Sequence, residues 1–179
     1  MSAQIDDDII IRVLDSVMSA TTAHFQDSLN ITMLSTQQSC GEIDAFSPAD
    51  MTVVIGLSGP VNALVAYSFD NDLVNHLLEI ETAGLEIPGD ELDIYRHDVL
   101  AETVNIVLGH CTGALAKTGH PVGLTPPIVL DGKGSFRRPK GALFACVNYK
   151  TAYGALDIYT ISPLNSSDDF FSVGNMGVE

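Results

Sequence analysis

Apolar residues recur at helical spacing near the beginning of the chain. The inward positions of this pattern fall every three or four residues and are Ile10, Val13, Leu14, Val17, Thr21 and Phe25. That period places them on one face of an α-helix. The acidic run from Asp6 to Asp8 supplies an N-cap and a favourable charge at the positive end of the helix. The pattern therefore predicts an amphipathic helix over residues 6–25.

Runs of β-branched and alternating apolar residues predict strands and hairpins. The predicted strands cover residues 31–39, 51–58, 61–69, 128–130, 142–149 and 153–161. Gly59-Pro60 separates two of these runs by a tight break, which is typical of an antiparallel hairpin. Within residues 61–69 the odd-numbered positions are apolar, as expected for a strand with one buried face.

Two helices are predicted between the strand groups. Asp70 can cap a short apolar helix that ends before Pro88. Asp90 can cap a long helix over residues 91–117, which stops before Pro121. The apolar face of the long helix includes Val99, Leu100, Ile106, Val107, Cys111 and Leu115.

The long helix carries a polar stripe. Asp98, Glu102 and Asn105 are spaced i, i+4 and i+7, which places them on one helical face. The solvent-facing side of any amphipathic helix could contain such residues. Two details weaken that interpretation. Asparagine is a mediocre helix former, and Gly109 lies one turn further along the same face, where glycine costs about 1 kcal/mol relative to alanine. A small residue beside an amide suggests that another surface approaches closely there.

The order of the elements hints at an internal duplication. Each half contains a long helix, a loop or short strand, and then a β-hairpin. Aligning Val99-Leu100 with Val13-Leu14 places Glu102 and Asn105 on Ser16 and Ser19. In that alignment only the second half carries the carboxylate and the carboxamide. Because hairpins commonly follow helices, the pattern alone leaves the duplication open.

The composition narrows the classes of partner. The formal net charge is −15 and only 8 residues are Lys or Arg, which disfavours binding to nucleic acid or to an anionic membrane. The segment from Lys133 to Lys140 is locally basic and is either a solvated loop or a guide for an acidic partner. The acidic N-terminus lacks the basic region of a signal peptide, and no apolar run approaches the ~20 residues that span a bilayer.

Length and hydropathy predict a single domain. The 179 residues can form one sizeable core, expected over about residues 9–161, with a polar tail over residues 163–179. Hydrophobic residues make up 46% of the chain and charged residues only 17%. The slightly positive mean hydropathy fits either a buried subunit interface or a well-filled core.

The cysteines and histidines form no metal-binding pattern. Cys40, Cys111 and Cys146 include no C-x2-C pair, and the last two lie in apolar segments. This usage favours buried, reduced thiols in a cytosolic chain. The 5 histidines show no H-E-x2-H or other dense ligand spacing. We therefore expect no metal or cofactor of the chain's own.

The stripe offers limited chemistry by itself. No adjacent Ser or Cys with an activating His is implied, and no second carboxylate is placed for glycoside hydrolysis. An amide, however, accepts one hydrogen bond while it donates others, so Asn105 can orient a water molecule toward a phosphorus atom. The Glu102 carboxylate can dock on a cationic group of a partner and fix the geometry.

The motif Asp98-x3-Glu102-x2-Asn105, with a proline about twenty residues later, resembles the signature of the CheC/CheX/FliY chemotaxis phosphatases. A single active helix in the second half is most similar to CheX. The resemblance implies an α/β (α+β) fold with an antiparallel sheet packed against long helices in two related halves. The distance from Asn105 to Pro126 or Pro127 is slightly shorter than in the family pattern.

The resemblance also implies an activity. Such a protein dephosphorylates a phosphorylated CheY-type receiver domain. Glu102 would pair with the receiver's active-site lysine, Asn105 would position the hydrolytic water, and Asp98 would be auxiliary. The required Mg²⁺ would belong to the receiver.

CheX-like proteins form homodimers, and a cytoplasmic location is expected. The alternative is a non-catalytic module that binds receiver domains, as related folds do in the flagellar switch.

Overall fold

In the computed structural model, three helices and nine strands lie within the described residues. The structure describes residues 3–41, 45–59, 62–116, 121–137 and 142–162, and for residues 3–9, 40 and 41 it describes the backbone. The helices are α1 (Ala3–Ala23), α2 (Asn71–Glu81) and α3 (Leu92–Leu115). Helix α1 continues directly into a π-helical turn (His24–Ser28). The strands are β1 (Ser35–Gly41), β2 (Ala45–Phe46), β3 (Met51–Ser58), β4 (Ala63–Phe69), β5 (Gly123–Leu124), β6 (Ile128–Asp131), β7 (Phe136–Arg137), β8 (Leu143–Lys150) and β9 (Ala155–Ser162).

Seven of the strands form one antiparallel sheet. Its order is β1-β8-β9-β4-β3-β5, and β6 pairs with residues 51–54 of β3, whereas β5 pairs with residues 57 and 58. The predicted hairpin over residues 51–69 is confirmed as β3 and β4, with Met51 opposite Phe69. The second predicted hairpin is confirmed as β8 and β9, with Lys150 opposite Ala155. The fold class predicted from the sequence is therefore correct.

All three helices lie on one face of this sheet. Helix α1 packs over β8 and β9, whereas α3 packs over β3, β5 and β6 and contacts both other helices. The core between the layers includes the fully buried Tyr67 of β4, whose hydroxyl lies 2.8 Å from Thr21 Oγ1. Thr21 itself donates to the carbonyl oxygen of Val17 at 2.7 Å. These two hydroxyls are thus satisfied, which removes the usual cost of polar groups in a core.

A smaller apolar cluster covers part of the opposite face of the sheet. Phe46 of β2 stacks on Tyr159 with ring centroids 3.8 Å apart and on Phe136 of β7 at 5.0 Å. The two-residue strands β2 and β7 pair with each other and lie over this cluster. These short strands are absent from the prediction because two residues display no periodicity.

The two halves of the chain occupy related positions in the sheet. The central strands β4 and β9 are flanked by β3 and β8, and then by β6 and β1, so that corresponding strands lie on opposite sides of the centre. Strand β2 of the first half also pairs with its counterpart β7. This arrangement confirms the internal duplication that the sequence alone left open.

The alignment of the two halves, however, was wrong by one helical turn. The burial patterns of the two helical segments match best when residues are paired 90 positions apart. Buried residues then pair as Ile10 with Leu100, Val13 with Thr103, Leu14 with Val104, Val17 with Val107, Thr21 with Cys111, and Phe25 with Leu115. Glu102 and Asn105 therefore correspond to Arg12 and Asp15, not to Ser16 and Ser19.

Helix ends provide one confirmed prediction and two corrections. Helix α1 begins at Ala3, so the acidic run from Asp6 to Asp8 lies inside the helix rather than at its N-cap. Asp70 caps α2, because its Oδ1 accepts from the Leu73 amide at 3.0 Å, and its Oδ2 accepts from the Ala155 amide at 2.7 Å. Asp90 does not cap α3. The residue at that cap is Glu91, which makes no side-chain capping bond.

The boundaries of the first strand also differ from the prediction. Strand β1 covers Ser35–Gly41 rather than residues 31–39. Ile31 is buried, and its amide donates to the Phe25 carbonyl at 2.7 Å, so this residue closes the π-helical turn instead of joining the sheet. The predicted tail at 163–179 and residues 138–140 of the basic loop lie outside the described residues.

Candidate functional site

The polar stripe lies on the solvent side of α3. The buried side of this helix consists of Leu100, Thr103, Val104, Val107, Leu108, Cys111 and Leu115. Asp98, Glu102 and Asn105 are all exposed and point away from that side. The helical period therefore does what the sequence predicts: it brings a carboxylate and a carboxamide together on a rigid scaffold, about 4.5 Å apart along the helix axis.

The three side chains of the stripe make no hydrogen bond or ion pair with the described residues. Among residues 3–41, 45–59, 62–116, 121–137 and 142–162, no hydrogen bond or ion pair involves Asp98, Glu102 or Asn105. Their hydrogen-bonding groups are therefore available to a water molecule or to another protein. A structural role for the stripe would require internal partners, which these side chains lack in the described part of the chain.

Gly109 lies beside Asn105 on the exposed face. A Cβ atom built at Gly109 or at Gly113 would meet no atom within 4 Å. Packing inside the chain therefore does not explain why these helical positions lack a side chain. Each glycine is expected to cost about 1 kcal/mol relative to alanine. An approaching molecule that needs space next to Asn105 would account for the first of them.

Two polar contacts fix the first half of α3. Nε2 of His97 lies 2.8 Å from an Asp131 oxygen, which ties the helix to β6. Arg96 donates to Asn75 of α2 at 2.8 Å and to Asp93 at 3.1 Å. These contacts link α3 to β6 on one side and to α2 on the other, and packing of the buried side on the core directs the stripe toward solvent. Sequence reasoning missed both anchors, because their partners are distant in the chain.

The buried cysteine of α3 is not a nucleophile. Cys111 lies on the buried side of α3, and its thiol donates to Ser16 Oγ at 3.3 Å. Burial raises the pKa of this thiol, and the contact with Ser16 opposes that effect only in part. The protonated thiol predominates at neutral pH, so its reactivity is low. The prediction of buried packing for Cys111 and Cys146 is confirmed.

Metal binding and membrane spanning find no support in the described regions. Within them, no three His, Cys, Asp or Glu side chains are grouped so that they could hold a metal ion. No described helix has the length and apolar content to cross a membrane. The expectation that the chain has no cofactor of its own stays a prediction.

The corresponding face of α1 has a different chemistry. Arg12, Asp15 and Ser19 are exposed there, at the positions that Glu102, Asn105 and Gly109 occupy on α3. Arginine reverses the charge of Glu102, and a carboxylate replaces the amide of Asn105. The described structure therefore presents the glutamate and asparagine pair on α3 alone.

The α3 face has some, but not all, of the groups that a hydrolytic reaction requires. It offers an anionic docking group and an amide that can both donate and accept, but no nucleophile in the described residues. Such a face can orient water and a reacting group supplied by a second molecule. It cannot break a bond in isolation.

Comparison with known proteins supports this description. The family model described as chemotaxis phosphatase CheX matches residues 51–150, which include all three stripe residues. A curated protein of Thermotoga maritima named CheY-P phosphatase CheX is 27% identical over 86 residues, which are 48% of this chain and 54% of that protein. The match thus spans about half the length of this relative.

Solved structures show the same fold. A chemotaxis protein CheX from Desulfovibrio desulfuricans has a TM-score of 0.72 at 16% identity, with 84% of this chain and 99% of that chain covered. The CheX of a CheX-CheY-BeF3-Mg²⁺ complex from Borrelia burgdorferi has a TM-score of 0.62 at 18% identity, with 83% and 96% covered. Because the family model covers more than half of the sequence, the chain belongs to the chemotaxis phosphatase CheX family.

Proposed function

We propose that this chain is a phosphatase that removes the phosphoryl group from the aspartyl phosphate of a CheY-type receiver domain. The observation that carries the proposal is the exposed pair Glu102 and Asn105, which has no partner among the described residues. The name of the Thermotoga maritima relative and the Borrelia burgdorferi complex support the substrate class.

In the proposed reaction the two proteins share the active site. Glu102 pairs with a lysine of the receiver, and this contact sets the position of α3. Asn105 then accepts a hydrogen bond from the attacking water and donates one to a phosphoryl oxygen, which holds the water in line with the phosphorus atom. Asp98 is auxiliary. The aspartyl phosphate and the Mg²⁺ are expected on the receiver, so this chain contributes orientation rather than a reactive group.

A phosphate-release assay tests this function. A CheY-type receiver domain phosphorylated with a small-molecule donor is mixed with substoichiometric amounts of the chain, and release of inorganic phosphate is followed over time. The proposal requires multiple turnovers and faster loss of phosphate than the receiver shows alone. Binding of the receiver with an unchanged phosphate lifetime would instead favour a non-catalytic binding module.

We further propose that the protein is a cytoplasmic homodimer. The positive mean hydropathy supports a covered surface, and Ile128 and Leu130 on β6 are 60% and 37% exposed. Apolar side chains on the last strand of the sheet offer an area for a second copy. Light scattering coupled to gel filtration measures the mass. A mass near 19.1 kDa at micromolar concentration would contradict the dimer.

A further inference from the structure

A large apolar side chain extends the polar stripe toward the beginning of α3. Ile94 is 59% exposed although it lies in the first turn of a helix that packs on a core. It precedes Asp98 by one turn. It also precedes Asn105 by eleven residues, which is close to three turns and places both side chains along one line of the helix surface.

Packing of the opposite face on the core sets the rotation of α3 and turns Ile94 outward. This packing does not explain why the outward position holds a large apolar residue. Scattered apolar residues are common on protein surfaces and by themselves mean little. Ile94 differs because it lies on the same face as the proposed docking and water-orienting residues, about 16 Å from Asn105 along the axis.

A receiver domain that reaches Asn105 would also cover this residue. A specific interface buries about 800 Å² on each partner, which is a patch roughly 30 Å across. A patch of that size centred near Glu102 includes the first turn of α3. Ile94 would then lose its contact with water, and an apolar contact in such a place can contribute much of the binding energy.

Electrostatics indicate why an apolar contact is needed. Asp98 and Glu102 place two carboxylates beside Asn105, and the whole chain has a formal net charge of −15. An aspartyl phosphate is itself anionic, so its approach to this face is opposed by like charges except where the receiver's lysine meets Glu102. Burial of apolar area does not depend on charge sign and can offset that repulsion.

We infer that Ile94 is an apolar anchor for the phosphorylated receiver domain and that it determines affinity without taking part in the chemistry. The inference rests on the proposed function, because the same partner is assumed. Ile94 is thus a positioning residue, and its contribution belongs to KM rather than to kcat. The polar residues of the stripe then orient the reaction after the anchor has brought the receiver into place.

The test compares Ile94→Ser with Ile94→Leu and with a matched control. Leu34 is 65% exposed and precedes β1, which lies at the opposite end of the sheet from the strands under α3. With phosphorylated receiver as substrate, we expect Ile94→Ser to raise KM about tenfold and to change kcat less than twofold. Ile94→Leu should retain the wild-type KM, and Leu34→Ser should change neither constant.

A binding measurement separates this inference from the proposed function. The affinity of each variant is determined for a receiver domain carrying BeF3 and Mg²⁺, and Ile94→Ser should bind about tenfold more weakly. Wild-type affinity and KM for Ile94→Ser, or an equal loss in Leu34→Ser, would overturn the inference. A wild-type chain that binds this receiver but leaves the phosphate lifetime unchanged would overturn the catalytic function instead. Unchanged thermal unfolding of Ile94→Ser shows that the effect is not structural.

Discussion

Helices α1 and α3 occupy equivalent places in a duplicated fold, but their outer faces differ. On the inner side the two helices bury matching positions, from Ile10 with Leu100 to Phe25 with Leu115. On the outer side, α3 exposes Glu102 and Asn105, whereas α1 exposes Arg12 and Asp15 at the corresponding positions. The comparison shows that the requirements of the core preserve one face of a repeated helix and leave the other free to acquire chemistry.

The difference has a direct chemical meaning. Arg12, in the place of Glu102, would repel a lysine rather than bind it. Asp15, in the place of Asn105, can only accept hydrogen bonds when ionised, and it adds a negative charge where a phosphoryl group would lie. The α1 face therefore lacks both properties that the α3 face requires. Substitutions of Glu102 and Asn105 consequently have matched controls at Arg12 and Asp15 of α1.

The largest effect is expected from Asn105→Ala. Removal of the amide leaves the attacking water without orientation, and stimulated phosphate release should fall by about a hundredfold or more. Because Asn105 is exposed, the thermal unfolding midpoint should stay the same. The matched variant Asp15→Ala should retain full activity. Equal losses of activity in the two variants, measured by phosphate release, would show that the α3 face contributes no more to the reaction than the α1 face.

Glu102→Gln is expected to have the second-largest effect. The substitution removes the charge that docks on the receiver's lysine, and a charge-assisted contact of this kind contributes about 2 kcal/mol. Affinity for the phosphorylated receiver should therefore fall about thirtyfold. The measurement is titration calorimetry at two salt concentrations, in which the wild type should be more salt-sensitive than the variant. Arg12→Gln serves as the control, and a loss of the same size there would contradict the comparison.

Gly109→Ala should separate stability from activity. A methyl group at this position meets no atom of the described chain, so helix propensity should stabilise the fold by about 0.5–1 kcal/mol. The same methyl group would intrude on a partner next to Asn105, and receiver dephosphorylation should fall several-fold. Gly113→Ala, two turns beyond Asn105, should give the stability gain with a smaller loss of activity. Denaturant unfolding and phosphate release check the two expectations.

The smallest effect concerns pH and the end of α1. His24 is buried, and its pKa is lowered by burial and then by His110, with Glu81 acting in the opposite direction. The imidazole therefore binds fewer protons in the folded state than in the unfolded chain. Its contribution to stability is complete above the unfolded pKa of 6.5 and is lost as the pH falls below that value.

A substitution at His24 tests this expectation. The free energy of unfolding of the wild type should fall between pH 7.5 and pH 5.5, and His24→Gln should show a shallower decrease. The position that corresponds to His24 on α3 is Ala114, which is exposed and does not titrate. An identical pH dependence of wild type and His24→Gln would show that the buried imidazole does not contribute.

Periodic segments of the fold could be predicted from the sequence, and segments held by distant contacts could not. The strand over residues 51–58 was predicted with its observed limits, because a run of eight residues rich in β-branched types defines a strand well. Strands β2 and β7 were missed because each has two residues and exists only through pairing with the other. Ile31 was assigned to a strand because its type is favourable there, but its amide closes the π-helical turn.

The candidate site divides in the same way. The spacing of Asp98, Glu102 and Asn105 is a local property of a helix, so their common face follows from the sequence. The contacts of Arg96 and His97 with Asn75 and Asp131 cross between elements, and no sequence pattern indicates them. Likewise, the alignment of α1 with α3 predicted from the sequence differs by one helical turn from the alignment that burial favours. Several alignments satisfy a helical period, and only burial selects among them.

The sequence by itself determined which residues share a helical face, which segments form hairpins, and which residue types are available for chemistry. These properties depend on neighbours within a few positions, where backbone geometry is regular. Only the tertiary structure decided which helical face is turned to the solvent, so that Ile94 and Asn105 are both exposed, and which residues of α1 correspond to Glu102 and Asn105. Those properties depend on packing between distant segments, and packing selects one rotation of each helix from the several that its periodicity allows.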